Sequence, residues 1–141
     1  MAVPTDCALL VPSAADRGFA QVTVDPQYED DSDLAGIQEA GGTVCFFTDP
    51  ATDTVYHVGV QLLQGAEGER RERRWERDGL QPVDGVGDVA YYTAISKEVN
   101  GESTSELRVL DGRYYVQVGA APSAEPDVLI PFAADAIAAL G

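Results

Sequence analysis

Basic residues are scarce in this sequence: 9 lysines and arginines stand against 24 aspartates and glutamates, for a formal net charge of −15. A surface with this charge repels phosphate backbones and anionic lipids, which argues against nucleic acid as the partner. No apolar run approaches the ~20 residues that span a bilayer, and the N-terminus lacks the basic and apolar regions of a signal peptide. We therefore expect no transmembrane segment in this chain. This expectation is compatible with the chain being the mature form of an exported protein.

Histidine and cysteine, which often serve in catalysis or metal binding, are also few. His57 is the only histidine, and Cys7 and Cys45 have neither CxxC spacing nor a second histidine to complete a metal set. His57 falls on the less apolar face of a predicted strand, so we expect an exposed side chain without a catalytic role. Since no Ser/His/Asp or Cys/His set is visible, we predict no catalytic residue, no metal site and no cofactor.

Two stretches resemble ligand-binding loops only in part. Residues 29–33, EDDSD, are acidic enough for calcium, but their spacing does not follow the EF-hand pattern, which predicts a solvated loop. Residues 80–92, LQPVDGVGDVAYY, are rich in glycine but lack the lysine of a phosphate-binding loop. Because they lead into a strand rather than a helix, we interpret them as a structural turn.

The two cysteines leave two interpretations open. They are either buried free thiols of a cytosolic protein or the disulfide of an exported one. Each adjoins an apolar run, ALLV after Cys7 and FF after Cys45, which favours the disulfide. Such a bridge would close a loop of about forty residues and stabilise the fold by about 4 kcal/mol on the chain-entropy model.

Hydrophobic periodicity predicts helices alternating with runs of strands. Apolar residues recur three and four positions apart along residues 127–140, the pattern of an amphipathic helix that covers a core. Asn100-Gly101 and Asp111-Gly112 are turn signals of hairpins. The predicted helices are 12–19, 34–40, 67–77 and 127–140, and the predicted strands are 21–25, 43–48, 54–63, 88–95, 104–110 and 113–119.

Residues 64–78, QGAEGERRERRWERD, hold five of the nine basic residues. Glu and Arg favour helix, and Glu69 stands four residues before Arg73, the favourable orientation for an ion pair. We therefore predict a helix, with an extended strand that packs only through its tryptophan as the alternative. The segment is either a solvent face laced with ion pairs or a cationic patch for an acidic partner. Its candidate binding residues are Arg70, Arg71, Arg73, Arg74 and Trp75.

Four tyrosines form a second group of interest. Tyr91 and Tyr92 lie on one predicted strand, and Tyr114 and Tyr115 lie on another, which we expect to be its neighbour in the sheet. Sheet packing explains such a cluster, although tyrosines also line binding grooves. We predict an exposed sheet face around Tyr92 and Tyr115 as the second candidate binding surface.

The order of these elements predicts a single domain over residues 1–141 with an α+β fold. Strands joined by hairpins favour an antiparallel sheet of about six strands with helices on one face, covered mainly by the first and last helices. The layout echoes two αβββ halves followed by a C-terminal helix, although no sequence repeat supports a duplication.

Several stretches together carry a family resemblance. They are Cys7-Ala-Leu-Leu before a short helix, Cys45 in a strand, PVDGVGDVAYY at 82–92, LRVLDGRYYVQV at 107–118, and the alanine-rich final helix. In these features the chain resembles small secreted proteins and lipoproteins of actinobacteria, families of unknown function. The resemblance implies a Cys7–Cys45 disulfide and a location outside the cytoplasm, and it assigns no catalytic residue. Residues 3–6, VPTD, are not a lipobox, so lipid attachment at Cys7 is not expected.

Three hypotheses about function follow. The first is a non-catalytic binding module of the bacterial cell envelope, secreted or otherwise extracytoplasmic, whose partner is unknown, a protein being one candidate. The alternative is a carrier of a small apolar ligand held between the sheet and a helix. The third is an enzyme that uses paired carboxylates for acid–base chemistry.

Overall fold

The computed structural model describes residues 3–22, 32–99 and 102–140. Within these ranges the chain alternates short helices with antiparallel strands. The helices are α1 (Cys7–Leu10), α2 (Pro12–Asp16), α3 (Ser32–Glu39), α4 (Glu67–Arg77) and α5 (Pro126–Leu140). The strands are β1 (Ala20–Val22), β2 (Thr43–Asp49), β3 (Thr54–Leu62), β4 (Gln81–Val83), β5 (Val89–Val99), β6 (Glu102–Asp111) and β7 (Tyr114–Ala121).

One antiparallel sheet contains these seven strands in the order β1-β2-β3-β7-β6-β5-β4. The first three strands form one meander and the last four form another. The two meanders join where β3 pairs with β7, with Val58 opposite Val118 and His57 opposite Gly119. The strands β3 and β7 are therefore near the middle of the sheet, where side chains on both faces can be covered.

The first face of the sheet carries the larger apolar core. Val58 and Val60 on β3 alternate inward with no exposed surface, and Leu129 and Phe132 on α5 are equally buried. Helices α1 and α2 pack beside α5 on this face. The apolar side chains at every second position of the strands thus pack against those spaced three and four positions apart on α5, in one layer.

A disulfide joins this helical layer to the sheet. Cys7 on α1 is bonded to Cys45 on β2, with the two Cα atoms 5.8 Å apart. The prediction of a Cys7–Cys45 bridge is confirmed. The bridge fixes the N-terminal helices over the first face, at the side of the sheet formed by β2.

The second face is covered by α3 and α4. On α3, Leu34 and Ile37 are buried against β3 at Gly59, where an added Cβ would lie 2.7 Å from Ile37 Cδ1. On α4, the buried anchor is Trp75. Since each of these helices contributes only one or two apolar side chains, the second layer is thinner than the first.

The predicted α+β fold, with its antiparallel sheet and a C-terminal helix packed on it, is confirmed. The structure differs in detail, because α3 and α4 lie on the face opposite α1, α2 and α5 instead of all helices sharing one face. A few anchors, such as Trp75 and Ile37, suffice to hold a mostly polar helix there. The strand β4 raises the count from about six strands to seven. The helix predicted at 34–40 forms as α3, and its place between β1 and β2 means that the first half is not a simple αβββ unit.

The predicted bounds of helices and strands agree well with the observed ones where the local sequence signals are strong. The helix predicted at 67–77 is α4, and the hairpins between β2 and β3 and at Asp111-Gly112 form as expected. The helix predicted at 12–19 ends at Asp16, since Gly18 adopts a φ of 77° that leaves the helical region. The predictions for Asn100-Gly101, for residues 23–25 and for the acidic residues 29–31 fall outside the described residues.

Candidate functional site

Helix α4 contacts the sheet through one large side chain. Trp75 is 2% exposed, and its ring lies between Tyr91 and Tyr115 with centroid separations of 5.6 and 5.9 Å. In the first turn of the helix, Gly68 faces Leu63, which an added Cβ would approach to 3.5 Å. The helix therefore contacts the second face through Trp75 and the backbone at Gly68. The other residues of the helix are charged.

Five arginines gather on one side of α4, and we call this set the arginine face. Positions 70, 74 and 77 recur four and three residues apart and so share one side of the helix. With Glu67, the arginines border an open cleft of about 440 Å³. All but one are exposed to solvent. The arginine face consists of Arg70, Arg71, Arg73, Arg74 and Arg77.

The charge of α4 contrasts with the rest of the molecule. The helix contains four glutamates and five arginines. Taken from the 24 acidic and 9 basic residues of the chain, these leave 20 acidic and 4 basic residues elsewhere, a net charge of −16. The arginine face is therefore a local cationic patch on an anionic protein. Such a patch attracts an acidic group at short range, whereas the molecule as a whole repels large polyanions.

Arg71 differs from the other arginines because it is held in place. Its Cζ lies 4.5 Å from the centroid of the Tyr115 ring, a cation–π contact, and its Nη2 lies 3.7 Å from Glu67 Oε1. Its Nε is buried and has no hydrogen-bond partner among the residues that the structure describes. Arg71 thus lies at the inner edge of the arginine face, with its guanidinium over the Tyr115 ring of β7.

A network of buried polar side chains continues from Tyr115 across the second face. The Tyr115 hydroxyl donates a hydrogen bond to Gln117 Oε1 at 2.6 Å, and Gln117 Nε2 donates one to Glu106 Oε2 at 3.0 Å. Arg108 Nη2 pairs with the other oxygen of Glu106 at 2.9 Å. Gln117 has no exposed surface and Glu106 is 4% exposed. A carboxyl group this deeply buried needs such partners, so the network holds the four side chains in one arrangement.

His57 completes the network at its far end. Its Nε2 lies 3.2 Å from Gln117 Nε2. Since an amide NH2 group only donates, Gln117 Nε2 donates one hydrogen to Glu106 and the other to His57 Nε2, which leaves the His57 proton on Nδ1. The ring lies directly over Gly119, where any Cβ would overlap it. Burial lowers the pKa of His57 to about 4, so the ring is neutral near neutral pH.

The sequence prediction for His57 needs correction. We expected an exposed strand histidine, but the ring is only partly exposed and belongs to the polar network. Two signals were available in the strands themselves. Glu106 and Arg108 alternate on β6, as do Tyr115 and Gln117 on β7, so polar residues fill one face of two central strands. What the pattern cannot show is that a glycine on β7 makes room for a histidine on β3.

The structure brings together most residues of one predicted binding surface but not those of the other. Arg70, Arg71, Arg73 and Arg74 are brought together on α4, but Trp75 points away from them into the core of the second face.

The predicted exposed face around Tyr92 and Tyr115 does not exist as one surface. Tyr115 is 1% exposed on the second face, whereas Tyr92 packs on the first and donates a hydrogen bond to Ala124 O at 2.7 Å. The expectation that Tyr91 and Tyr114 lie on neighbouring strands is also wrong, because β6 separates β5 from β7.

Two further properties of the described residues concern metal binding and membrane insertion. Among them, no group of three or more histidine, cysteine, aspartate or glutamate side chains is arranged to hold a metal ion. In the same part of the chain, no helix combines the length and apolar character needed to cross a membrane. No protein-family model matches this chain, and comparison with curated proteins and with solved structures finds no significant match.

Proposed function

We propose that this protein is a non-catalytic binding module of the bacterial cell envelope and that the arginine face of α4 takes an acidic region of a partner protein. The observation that carries the proposal is the gathering of five arginines along one open cleft of a chain that is otherwise strongly acidic. Guanidinium groups recognise carboxylates through paired, charge-assisted hydrogen bonds. Four of these five side chains are solvent-exposed and accessible to a partner.

The location outside the cytoplasm is part of the proposal. It is supported by the Cys7–Cys45 disulfide, since disulfides persist mainly in oxidising compartments. The bacterial envelope as the compartment rests on the resemblance to actinobacterial secreted proteins and is tested by locating the protein in fractionated cells.

The non-catalytic character is likewise proposed, and the polar network supports it. Both carboxylate oxygens of Glu106 accept hydrogen bonds, and Gln117 occupies the position between Glu106 and His57 where a reacting group would have to sit. Such an arrangement suits a structural role in the sheet better than proton transfer to a substrate.

The alternative of an apolar-ligand carrier draws less support from the packing. Leu129, Phe132, Ala133 and Ala136 on α5 have no exposed surface and belong to the core of the first face. A ligand between this helix and the sheet would have to displace these contacts. Native mass spectrometry of protein from its natural export route tests the alternative, which a retained small-molecule adduct would favour.

The proposed function is tested by binding of a fluorescent oligoglutamate peptide, measured by anisotropy at low and moderate salt. We expect Arg74→Glu to weaken binding about tenfold, since it removes one attraction and adds a repulsion. Arg113→Glu is the matched control, because this exposed arginine lies in the β6–β7 turn and its reversal changes the net charge equally. Equal affinities of the two variants, or no binding by the wild type, would overturn the proposal.

A further inference from the structure

The arginine face is short. From Arg70 to Arg77 the helix rises about 10.5 Å at about 1.5 Å per residue, which matches about three residues of an extended chain at about 3.3 Å each. Acidic residues bound it at both ends, with Glu67 and Glu69 in the first turn and Asp78 just after the helix. A long polyanion would run from the patch onto this acidic surface and be repelled there.

Arg71 is the one arginine of the face whose position is set before any ligand arrives. It rests on the ring of Tyr115, which is itself fixed by its hydrogen bond to Gln117 and by contact with Trp75. Fixing a free arginine side chain on binding costs conformational entropy, and a side chain that is already held avoids much of that cost.

From these two observations we infer that the site takes a short acidic segment of a partner protein, about three residues in extended form, and that Arg71 anchors one of its carboxylates. Tyr115 acts as the positioning residue that holds the Arg71 guanidinium at the edge of the cleft. The inference rests on the proposed function and adds to it the length of the bound segment and the residue that anchors it.

The test compares charge-conserving substitutions. The probe is a fluorescent peptide with about three consecutive glutamates flanked by glycine and serine, matched to the length of the face. Lysine keeps the charge but lacks the planar fork and stacks less well on a ring, so Arg71→Lys should weaken binding about tenfold. Arg74→Lys is the matched control on the same helix, where the side chain is exposed and a change below about twofold is expected.

Substitutions at Tyr115 separate positioning from folding. Tyr115→Phe keeps the ring beneath Arg71 and should bind within about twofold of the wild type, whereas Tyr115→Leu should lose about as much affinity as Arg71→Lys. Circular dichroism and thermal unfolding establish that each variant is folded. If Tyr115→Leu does not fold, the comparison of Arg71→Lys with Arg74→Lys decides the question alone.

The outcomes separate this inference from the function on which it rests. If Arg71→Lys and Arg74→Lys bind equally while Arg74→Glu still binds weakly, the anchor is overturned and the proposed function stands. Affinity that keeps rising as the glutamate run lengthens would overturn the short segment, and displacement of the peptide by inorganic phosphate at equal concentration would overturn the preference for carboxylates. Concentration-dependent dimers that Arg74→Glu abolishes would show a second copy as the occupant and overturn the partner segment.

Discussion

Acidification should destabilise this protein through His57. Burial lowers the pKa of the imidazole from 6.5 to about 4. Between these values the unfolded chain binds a proton that the folded chain does not, so stability is lost as the pH falls from about 6.5 to about 4. Below that range both states are protonated and this group causes no further change. The physical reason is that burial strips water from the charged ring, and a protonated Nε2 would in addition point a hydrogen at the Gln117 Nε2 donor 3.2 Å away.

The magnitude follows from the two pKa values. Their difference of about 2.5 corresponds to about 3 kcal/mol, at about 1.4 kcal/mol for each unit of pKa. Because the ring keeps some solvent exposure, we expect screening to reduce the effect to about 2 kcal/mol. A loss of about 2 kcal/mol is a large share of the free energy of unfolding of a domain, which is usually about 5 to 15 kcal/mol. A loss of about half that size would still be measurable by urea unfolding.

The assay is urea unfolding of the wild type and of His57→Gln at a series of pH values. The many carboxylates of the chain titrate in both proteins and cancel in the difference between the two profiles. We expect the stability of the wild type relative to the variant to fall by about 2 kcal/mol between about pH 7 and pH 4. Parallel profiles over this range, or an NMR titration of the His57 ring with a pKa near 6.5, would refute the reasoning.

Three further predictions concern the fold. Reducing the Cys7–Cys45 bridge should lower the free energy of unfolding by about 4 kcal/mol, because it opens a loop of 38 residues; equal urea midpoints with and without reductant would contradict this. Trp75→Ala should cost about 3 to 5 kcal/mol, and a cost below about 1 kcal/mol would mean that other contacts hold α4. Gly87→Ala should destabilise more than Gly85→Ala in thermal unfolding. Both residues have positive φ, but only at Gly87 would the new Cβ lie 2.5 Å from a side chain of β6, so equal costs would count against the close approach.

Local signals in the sequence were sufficient for much of the fold. The alternation of glutamate and arginine around Trp75 predicts α4 with the bounds that it has, and the aspartate–glycine turn predicts the β6–β7 hairpin. The apolar runs beside Cys7 and Cys45 favoured the disulfide that the structure contains. These features depend on residues that are close together in the chain.

The parts that could not be predicted depend on pairing between distant strands. Tyr92 and Tyr115 each sit on a strand with apolar neighbours, and only the register through β6 shows that they point to opposite faces. In the same way, the burial of His57 depends on Gly119, which faces it across the β3–β7 pair. The cation–π contact between Arg71 and Tyr115 joins a helix to a strand more than forty positions later, and no local pattern indicates it.

The central claim is that an acidic partner binds at the arginine face of α4. The most direct test is an NMR titration of the wild-type protein with the short glutamate peptide, following the Nε–H signals of its arginines. The account predicts that signals of Arg70, Arg71 and Arg74 shift together and saturate, while those of Arg17 and Arg113 stay in place. Shifts of equal size at all arginines, or none at α4, would contradict it.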